Sequence, residues 1–549
     1  MRGDAAYHAR RDRVVHEAAG ELMGRRIRWL GVIMVACLGL VIAQLVNIQL
    51  VKAKALQSSP YNPRIEVLRY VNPRGEILAS DGTVLAKSIA TPAGTNRTDY
   101  PYDYVRQYPQ GPLYSGITGY DSALSGAQTD IENYYNSYLD AHQQAPSTLS
   151  QILFREKLPT TTDNVTLTIN PALQQAAWNA LTSTPGNNDG AVVVIQPKTG
   201  NILAMVSNPT FDPNQLVSTS LAANNLAYYT YTQKDHEGFY PLRPLADSET
   251  FFPGSTMKVV TSSTVYNLKP SLIGFNYPVQ PCQTFSDSNR ILCNDGSSPA
   301  NSTPCGGTMV QMLPESCDPG YAELGIQAGV SNLRQQSELF GINSIPPVDL
   351  PAEGHQPTGG VIKSTLATLP DSAQALQGYA SIGQDVVADT ALQNAMIAAG
   401  VANGGVIMTP HLMSSIRDST GALVTTYQNK PMPRSESPAS AQAVTALMES
   451  VPISGTASGV GFPGYLCAAV KTGTAQTGLS TNHDWMIGFA PANNPQIAIA
   501  VVVPFQNISS DGAGIAGPIV NKIMQAALPQ GSVQQPCNVQ MPPASAFSH

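Results

Sequence analysis

Charge is scarce in this chain. Only 12% of its residues are Asp, Glu, Lys or Arg, which leaves little material for solvated charged helices. The charge that is present sums to −7, the wrong sign for gripping a phosphate backbone, so nucleic acid is excluded as a partner. No internal repeat recurs, which excludes solenoids and propellers. The seven cysteines follow no zinc-site spacing and the eight histidines are scattered, so neither metal nor cofactor is expected. Long apolar runs are missing too, with one exception.

That exception spans residues 29–46, apolar except for Gln44. It is long enough to cross a bilayer. Arg2, Arg10, Arg11, Arg13, Arg25, Arg26 and Arg28 precede it. The positive-inside rule places a tail of residues 1–28 in the cytoplasm, a single-pass helix over 29–50 in the cell membrane, and the bulk of the chain outside. The competing reading is a cleaved signal peptide with Ala53-Lys54-Ala55 as its site, but the run exceeds the ~7–15 residues of a signal core. Six cysteines lie beyond the membrane, at 282, 293, 305, 317, 467 and 537. An even number suits an oxidising compartment, and nearest neighbours (Cys282 with Cys293, Cys305 with Cys317) are the simplest of many pairings.

The 549 residues divide by texture. Residues 51–163 read as a small, irregular α+β module. A strand is expected over 64–71, a hairpin turns at Asp81-Gly82, and a helical piece falls near 129–140. Residues 164–530 are more regular. A strand at 165–169 leads into a helix from Asn170-Pro171, then an apolar hairpin over 190–207. Polar, Cys-rich residues 275–317 read as a loop insertion. Strands at 466–471, 485–490 and 497–503 precede a last helix over 515–528. Strands at both ends with helices between imply an α+β domain, one antiparallel sheet sandwiched by helices. Residues 531–549 read as a flexible tail.

The chemistry centres on Phe251-Phe252-Pro253-Gly254-Ser255-Thr256-Met257-Lys258. One helical turn puts Ser255 Oγ and Lys258 Nζ on one face. A serine needs a neighbouring base to become a nucleophile, and a desolvated lysine can be that base. Of the chain's twelve lysines only Lys258 has a serine three positions before it. Capping serine plus surface lysine is the bland alternative, but the apolar run that follows is a costly place for an idle ammonium. Lys471-Thr472-Gly473-Thr474 lies on a closing strand, where a lysine and two hydroxyls beside a glycine can hold a carboxylate. A second copy, Lys198-Thr199-Gly200, reads as a hairpin turn because Pro197 precedes it. A third polar element, Ser316-Cys317-Asp318, opens a helix at Tyr321 and is read either as a cap or as a partner of Ser255.

These motifs resemble the serine active-site penicillin-binding proteins, relatives of the class A β-lactamases, whose marks include Ser-x-x-Lys and Lys-Thr-Gly. Residues 205–214, Ala380-Ser381-Ile382-Gly383-Gln384 and Trp485–Pro491 look like the transpeptidase domain. Arg74-Gly75 with Asp81-Gly82 looks like the N-terminal pedestal of class B members, here the compact PbpA-like cell-division type. The resemblance implies a peptidoglycan D,D-transpeptidase that cross-links stem peptides ending in D-Ala-D-Ala and is acylated by β-lactams. It implies Ser255 as nucleophile, Lys258 as its base and Ser316 as proton relay. Lys471, Thr472, Gly473 and Thr474 would bind the substrate carboxylate, and the backbone N–H groups of Ser255 and Thr474 would form the oxyanion hole. No glycosyltransferase region is read, so a SEDS-type membrane polymerase is the expected partner.

One position departs from the pattern. Asp318 stands where the family has asparagine in Ser-x-Asn, and the chain's one literal Ser-x-Asn, Ser480-Thr481-Asn482, comes in the wrong order. An ionised aspartate only accepts hydrogen bonds, and beside Lys258 it is expected to raise that lysine's pKa. A weakened scaffold and a D,D-carboxypeptidase therefore stay open as alternatives. A β-lactamase does not, since Glu353 and Asp349 lack the setting of a deacylating carboxylate.

Overall fold

The computed structural model describes residues 28–44, 47–48, 71–143, 160–186, 188–296, 298–355, 359–533 and 538–547. The chain divides into two units, Met1–Leu68 and Arg69–His549. In the first, residues 28–44 are helical, with Trp29, Leu30, Ile33, Met34 and Val35 exposed. Among the described residues no helix is long and apolar enough to cross a membrane. The strand expected over 64–71 lies, apart from Val71, outside the described residues.

The second unit is built on two sheets. In chain order their strands are β1 (Ile77–Leu78), β2 (Val84–Ala90), β3 (Tyr104–Gln107), β4 (Asp163–Leu167), β5 (Gly190–Ile195), β6 (Ile202–Asn208), β7 (Met413–Asp418), β8 (Leu423–Thr426), β9 (Ala469–Gln476), β10 (Thr481–Ala490) and β11 (Ile497–Asn507). The Asp81-Gly82 turn joins β1 to β2, with Ile77 opposite Ala86 and Gly82 at φ +88°. The six-stranded sheet runs β8-β7-β4-β1-β2-β3, so it takes strands from both sides of residue 163. Buried ion pairs tie its N-terminal part together. Glu132 accepts from Arg74 Nε at 2.7 Å and Arg106 Nε at 2.6 Å, and Arg74 also pairs with Asp140. Glu132 sits in the short helix Asp130–Tyr134, which with Asn136–Leu139 makes up the helical piece near 129–140.

The five-stranded sheet runs β9-β10-β11-β5-β6 and is antiparallel throughout, as both chain ends were expected to make it. β11 and β5 are buried along nearly their whole length. Helix α1 (Pro171–Thr182) is capped by Asn170, whose side chain accepts from the N–H of Leu173, with Pro171 in the first turn. Helix α2 (Met257–Leu268) carries Thr and Ser at 261–264, and every residue from Met257 to Tyr266 is buried. Thr261, Ser262 and Thr264 each donate to the carbonyl four residues back, so these hydroxyls enter the core satisfied. Helices α3 (Asp318–Ala328), α4 (Gln374–Ser381), α5 (Ala391–Ala402), α6 (Pro438–Ser454) and α7 (Ala516–Ala527) complete the layers.

Two expectations are corrected. Residues 275–317 are no loose loop. Tyr277–Gln280 pairs with Cys305–Gly307, and Cys282–Phe285 pairs with Ser288–Cys293. Disulfides Cys282–Cys293 and Cys305–Cys317 hold these ladders, and Tyr277, Phe285 and Leu292 anchor them in the core. Cys467 is disulfide-bonded as well. The described part of the tail also packs: Phe547 is buried with its ring 5.1 Å from that of Tyr266, and the N–H of Val539 donates to Glu449.

Candidate active site

Ser255 sits in the single 3₁₀ turn Gly254–Thr256 that feeds α2, and Lys258 lies in the first turn of that helix. The turn is held from two sides. The N–H of Gly254 donates to the carbonyl of Gly383, and Trp485 Nε1 donates to that of Phe252 at 2.9 Å. The edge strand β9 runs directly past it. A Cβ on Gly473 would stand 2.7 Å from the Pro253 carbonyl oxygen and 2.8 Å from Thr256 Cγ2. Only glycine lets strand and turn approach this closely.

Ser316 and Asp318 arrive on the other side. Ser316 has φ +57°, a left-handed backbone that a serine adopts at a cost of about 1 kcal/mol or more. Disulfide-bonded Cys317 follows, and Asp318 opens α3. An acid in a helix's first turn meets the positive end of its dipole. The Asp318 N–H is accepted by Asn294 Oδ1 at 3.1 Å.

All three motifs meet. Lys258 Nζ donates to Asp318 Oδ1 at 2.5 Å, to the Ser316 carbonyl at 2.5 Å and to Ser316 Oγ at 3.1 Å. Lys471 Nζ donates to Ser316 Oγ at 2.9 Å and to the Thr472 carbonyl at 3.0 Å. Ser255 Oγ donates to Asp318 Oδ1 at 3.4 Å. The serine and its lysine therefore meet through one carboxylate oxygen, where direct contact was expected from the spacing alone. The Ser316 hydroxyl lies between the two lysines.

The upward pull of Asp318 on the Lys258 pKa is present as expected, but burial outweighs it. Burial pushes the Lys258 ammonium below its ordinary pKa, and the Asp318 charge, with a weaker contribution from Asp295, offsets only part of this. The side chain is wholly buried while Asp318 is 28% exposed, so desolvation falls on the lysine. Lys471 goes well below its usual range, first through burial and then through repulsion from Lys258. Two ammonium groups around one hydroxyl cannot both stay charged cheaply. Asp295 is raised by burial and by the neighbouring Asp318.

The strand's hydroxyls divide. Thr472 is buried, with Oγ1 2.7 Å from Thr456 Oγ1 and within reach of Lys471. Thr474 is half-exposed, and its Oγ1 accepts from the N–H of Gly512. Thr474 is thus the open end of the motif, and Lys471 is buried behind it. The second Lys-Thr-Gly behaves as the turn it was read to be. Lys198 Nζ donates to Asn494 on the surface, and Gly200 has φ +84°. Asp349 is structural, accepting from the N–H groups of Leu412 and Met413 and from Tyr135 Oη. Glu353 is exposed.

Sequence reasoning missed Asn294, Thr456 and Gly512. None stands in a motif, and each reaches the site through a fold contact. It also missed a group that could hold a cation among the described residues: Asp189, Asp235 and His236, whose ligand atoms lie within 4.8 Å of one another. It sits at the start of β5 and on the 232–240 loop, and contains none of the catalytic candidates.

Comparison with known proteins agrees with the geometry. The profile described as "Penicillin binding protein transpeptidase domain" matches residues 190–525, and that of the "Penicillin binding protein A dimerisation domain" matches 74–157. The chain is 33% identical over 530 residues to a peptidoglycan D,D-transpeptidase PbpA of Mycolicibacterium smegmatis, covering 93% of this chain and 100% of that protein. It is 33% identical to the PbpA of Mycobacterium tuberculosis, covering 92% and 99%. The solved ceftriaxone acyl-enzyme of penicillin-binding protein A from M. tuberculosis superposes with a TM-score of 0.72 at 33% identity, covering 84% of this chain and 99% of that one. Its penicillin G acyl-enzyme gives 0.71 at 32%, covering 83% and 100%.

Proposed function

The chain belongs to the penicillin-binding protein transpeptidase family, as a serine-type peptidoglycan D,D-transpeptidase of the PbpA kind, and from that premise we propose how its residues carry the reaction. The observation that carries the assignment is the single hydrogen-bonded cluster of Ser255, Lys258, Ser316, Asp318 and Lys471. Ser255 Oγ attacks the carbonyl of the penultimate D-Ala. Its proton passes to the hydrogen-bonded Lys258–Asp318 pair, in which burial of the lysine keeps the amine receptive. The tetrahedral oxyanion is held by the N–H groups of Ser255 and Thr474.

Ser316 serves the leaving group. Its oxygen has two lone pairs, and Lys258 and Lys471 donate into them, so its own proton points away from both. That proton goes to the departing D-Ala nitrogen and is replaced from the lysines. Lys471 and Thr474 bind the terminal carboxylate. The amine of a second stem peptide then attacks the ester, the same relay runs backwards, and Ser255 is released. β-Lactams enter as mimics of the donor and stop at the acyl-enzyme.

We also infer that residues 29–50 anchor the protein in the cell membrane with its catalytic unit outside. The exposed apolar side chains on residues 29–42 and the arginines before them support this reading. A membrane polymerase of the SEDS type is the partner that would supply the glycan strands. Incubating the full chain in detergent with a fluorescent penicillin, followed by a denaturing gel, tests the chemistry. The label should appear on the parent and vanish in Ser255→Ala. An unlabelled, folded parent would favour the scaffold alternative.

A further inference from the structure

The amide that the second motif lacks is supplied close by. Asn294 follows the disulfide-closed hairpin Cys282–Cys293 and is 3% exposed. Its Oδ1 accepts the N–H of Asp318 at 3.1 Å and its Nδ2 donates to Asp295 Oδ2 at 3.2 Å. The N-cap of α3, Cys317, offers no side-chain cap because its sulfur is in a disulfide. Asn294 therefore does from a distant segment what an N-cap residue normally does locally.

We propose that Asn294 is a positioning residue for the reaction, holding the first residue of α3 so that the Asp318 carboxylate stays between Ser255 and Lys258. The inference rests on the acyl-transfer reading of the site. Among the described residues Asp318 Oδ1 is the one atom that hydrogen-bonds both the nucleophile and its base, so a small swing of this helix end would separate them. The Asp318 carboxylate accepts from Ser255 and Lys258 within the motif cluster, whereas its backbone N–H donates outside it, to Asn294. That backbone depends on the hairpin, and the hairpin is itself braced against α4. There Arg290 lies 3.7 Å over the Tyr379 ring and pairs with Asp385.

The consequence is electrostatic and has a sign. The groups facing Lys258 are Asp318 and Ser316 on the second motif, Asp295 beyond the hairpin, Lys471 on β9, and the Tyr321 ring at 5.6 Å. Of these, Asp318 raises the lysine's pKa most. Without Asn294 the carboxylate loosens, the lysine loses that support, and it gives up its proton at lower pH. An opposite charge at contact shifts a pKa by about 1–3 units, so partial loosening should move the acid limb of the rate profile down by roughly one pH unit.

The experiment measures the acylation rate of the full chain by a fluorescent penicillin as a function of pH. It compares the parent with Asn294→Ala, Asn294→Asp, Asp318→Asn and the double variant Asn294→Ala/Asp318→Asn, each checked for a cooperative melt. Asn294→Ala should shift the acid limb to lower pH, as Asp318→Asn does. The double variant should shift no further than Asp318→Asn. Asn294→Asp keeps the accepting oxygen and should hold the limb at or above the parent's position. A limb that stays put in Asn294→Ala, whatever the amplitude, overturns the proposal, as does an additive shift in the double variant. A parent that takes no label overturns the acyl-transfer reading instead.

Discussion

Replacing Gly473 by alanine tests how closely the reaction depends on the gap between β9 and the nucleophile turn. The added Cβ would lie 2.7 Å from the Pro253 carbonyl oxygen, 2.8 Å from Thr256 Cγ2 and 3.0 Å from Trp485 Cβ. Ordinary contact begins at 3.4 Å, so the shortfall is 3.4 − 2.7, roughly 0.7 Å against a backbone atom. Two of the three neighbours lie on the nucleophile turn and the third on β10. No single rotamer change clears them, so the strand has to move away from Ser255. Lys471 and Thr474 would move with it. Misplacement by about 1 Å is worth on the order of 10²-fold in rate, so acylation should slow by roughly 10- to 100-fold. Overpacking should also lower stability by about 1–3 kcal/mol. Stopped labelling with fluorescent penicillin gives the rate, and a thermal melt gives the stability. An alanine variant that acylates within about twofold of the parent would refute the reasoning, because a strand that yields that freely cannot set the geometry.

Three further outcomes follow from buried carboxylates. Asp349→Ala leaves the N–H groups of Leu412 and Met413 and the Tyr135 hydroxyl without their acceptor. It should cost about 2–5 kcal/mol in a denaturant melt, with labelling of the remaining folded protein intact. Glu132, held below the usual carboxylate range because Arg106 and Arg74 overcome its burial, stabilises the fold above that range and ceases to as the pH falls through its lowered pKa. Glu132→Gln should cost about 3–5 kcal/mol at pH 7, with the gap to the parent closing in acid melts. Glu436 is the opposite case. Burial pushes it up to about 8, with Ser263 pulling weakly the other way. Its contribution is complete below the ordinary carboxylate range and is lost as the pH rises towards about 8. Glu436→Gln should therefore melt several degrees above the parent at alkaline pH and close to it in mild acid; equal melting at both would contradict this.

Much of the site was legible in the sequence because it is written in short spacings. Ser255 and Lys258 are one helical turn apart, and that turn forms. The Lys471 motif lies on an edge strand, as its glycine and hydroxyls suggested. The hairpin β5–β6 and the three closing strands followed from apolar runs and turn residues, which act locally. The inserted segment was illegible for a physical reason. Its order comes from disulfides and from packing on α4, neither of which leaves a periodic pattern.

Asp318 shows where the boundary falls. Residue identity alone predicts that an acid beside Lys258 raises its pKa, and that contribution is present. Its weight against desolvation depends on how completely the lysine is enclosed, and that depends on α2, α3 and β9 closing over it. The chain's local order determined which residues could do chemistry, because a serine, a lysine and a strand glycine each impose their own stereochemistry. Only the packed fold decided that one carboxylate oxygen joins nucleophile and base, that Asn294 arrives to hold it, and that burial outweighs the acid. Each of these depends on distances between segments far apart in sequence, which no local pattern encodes.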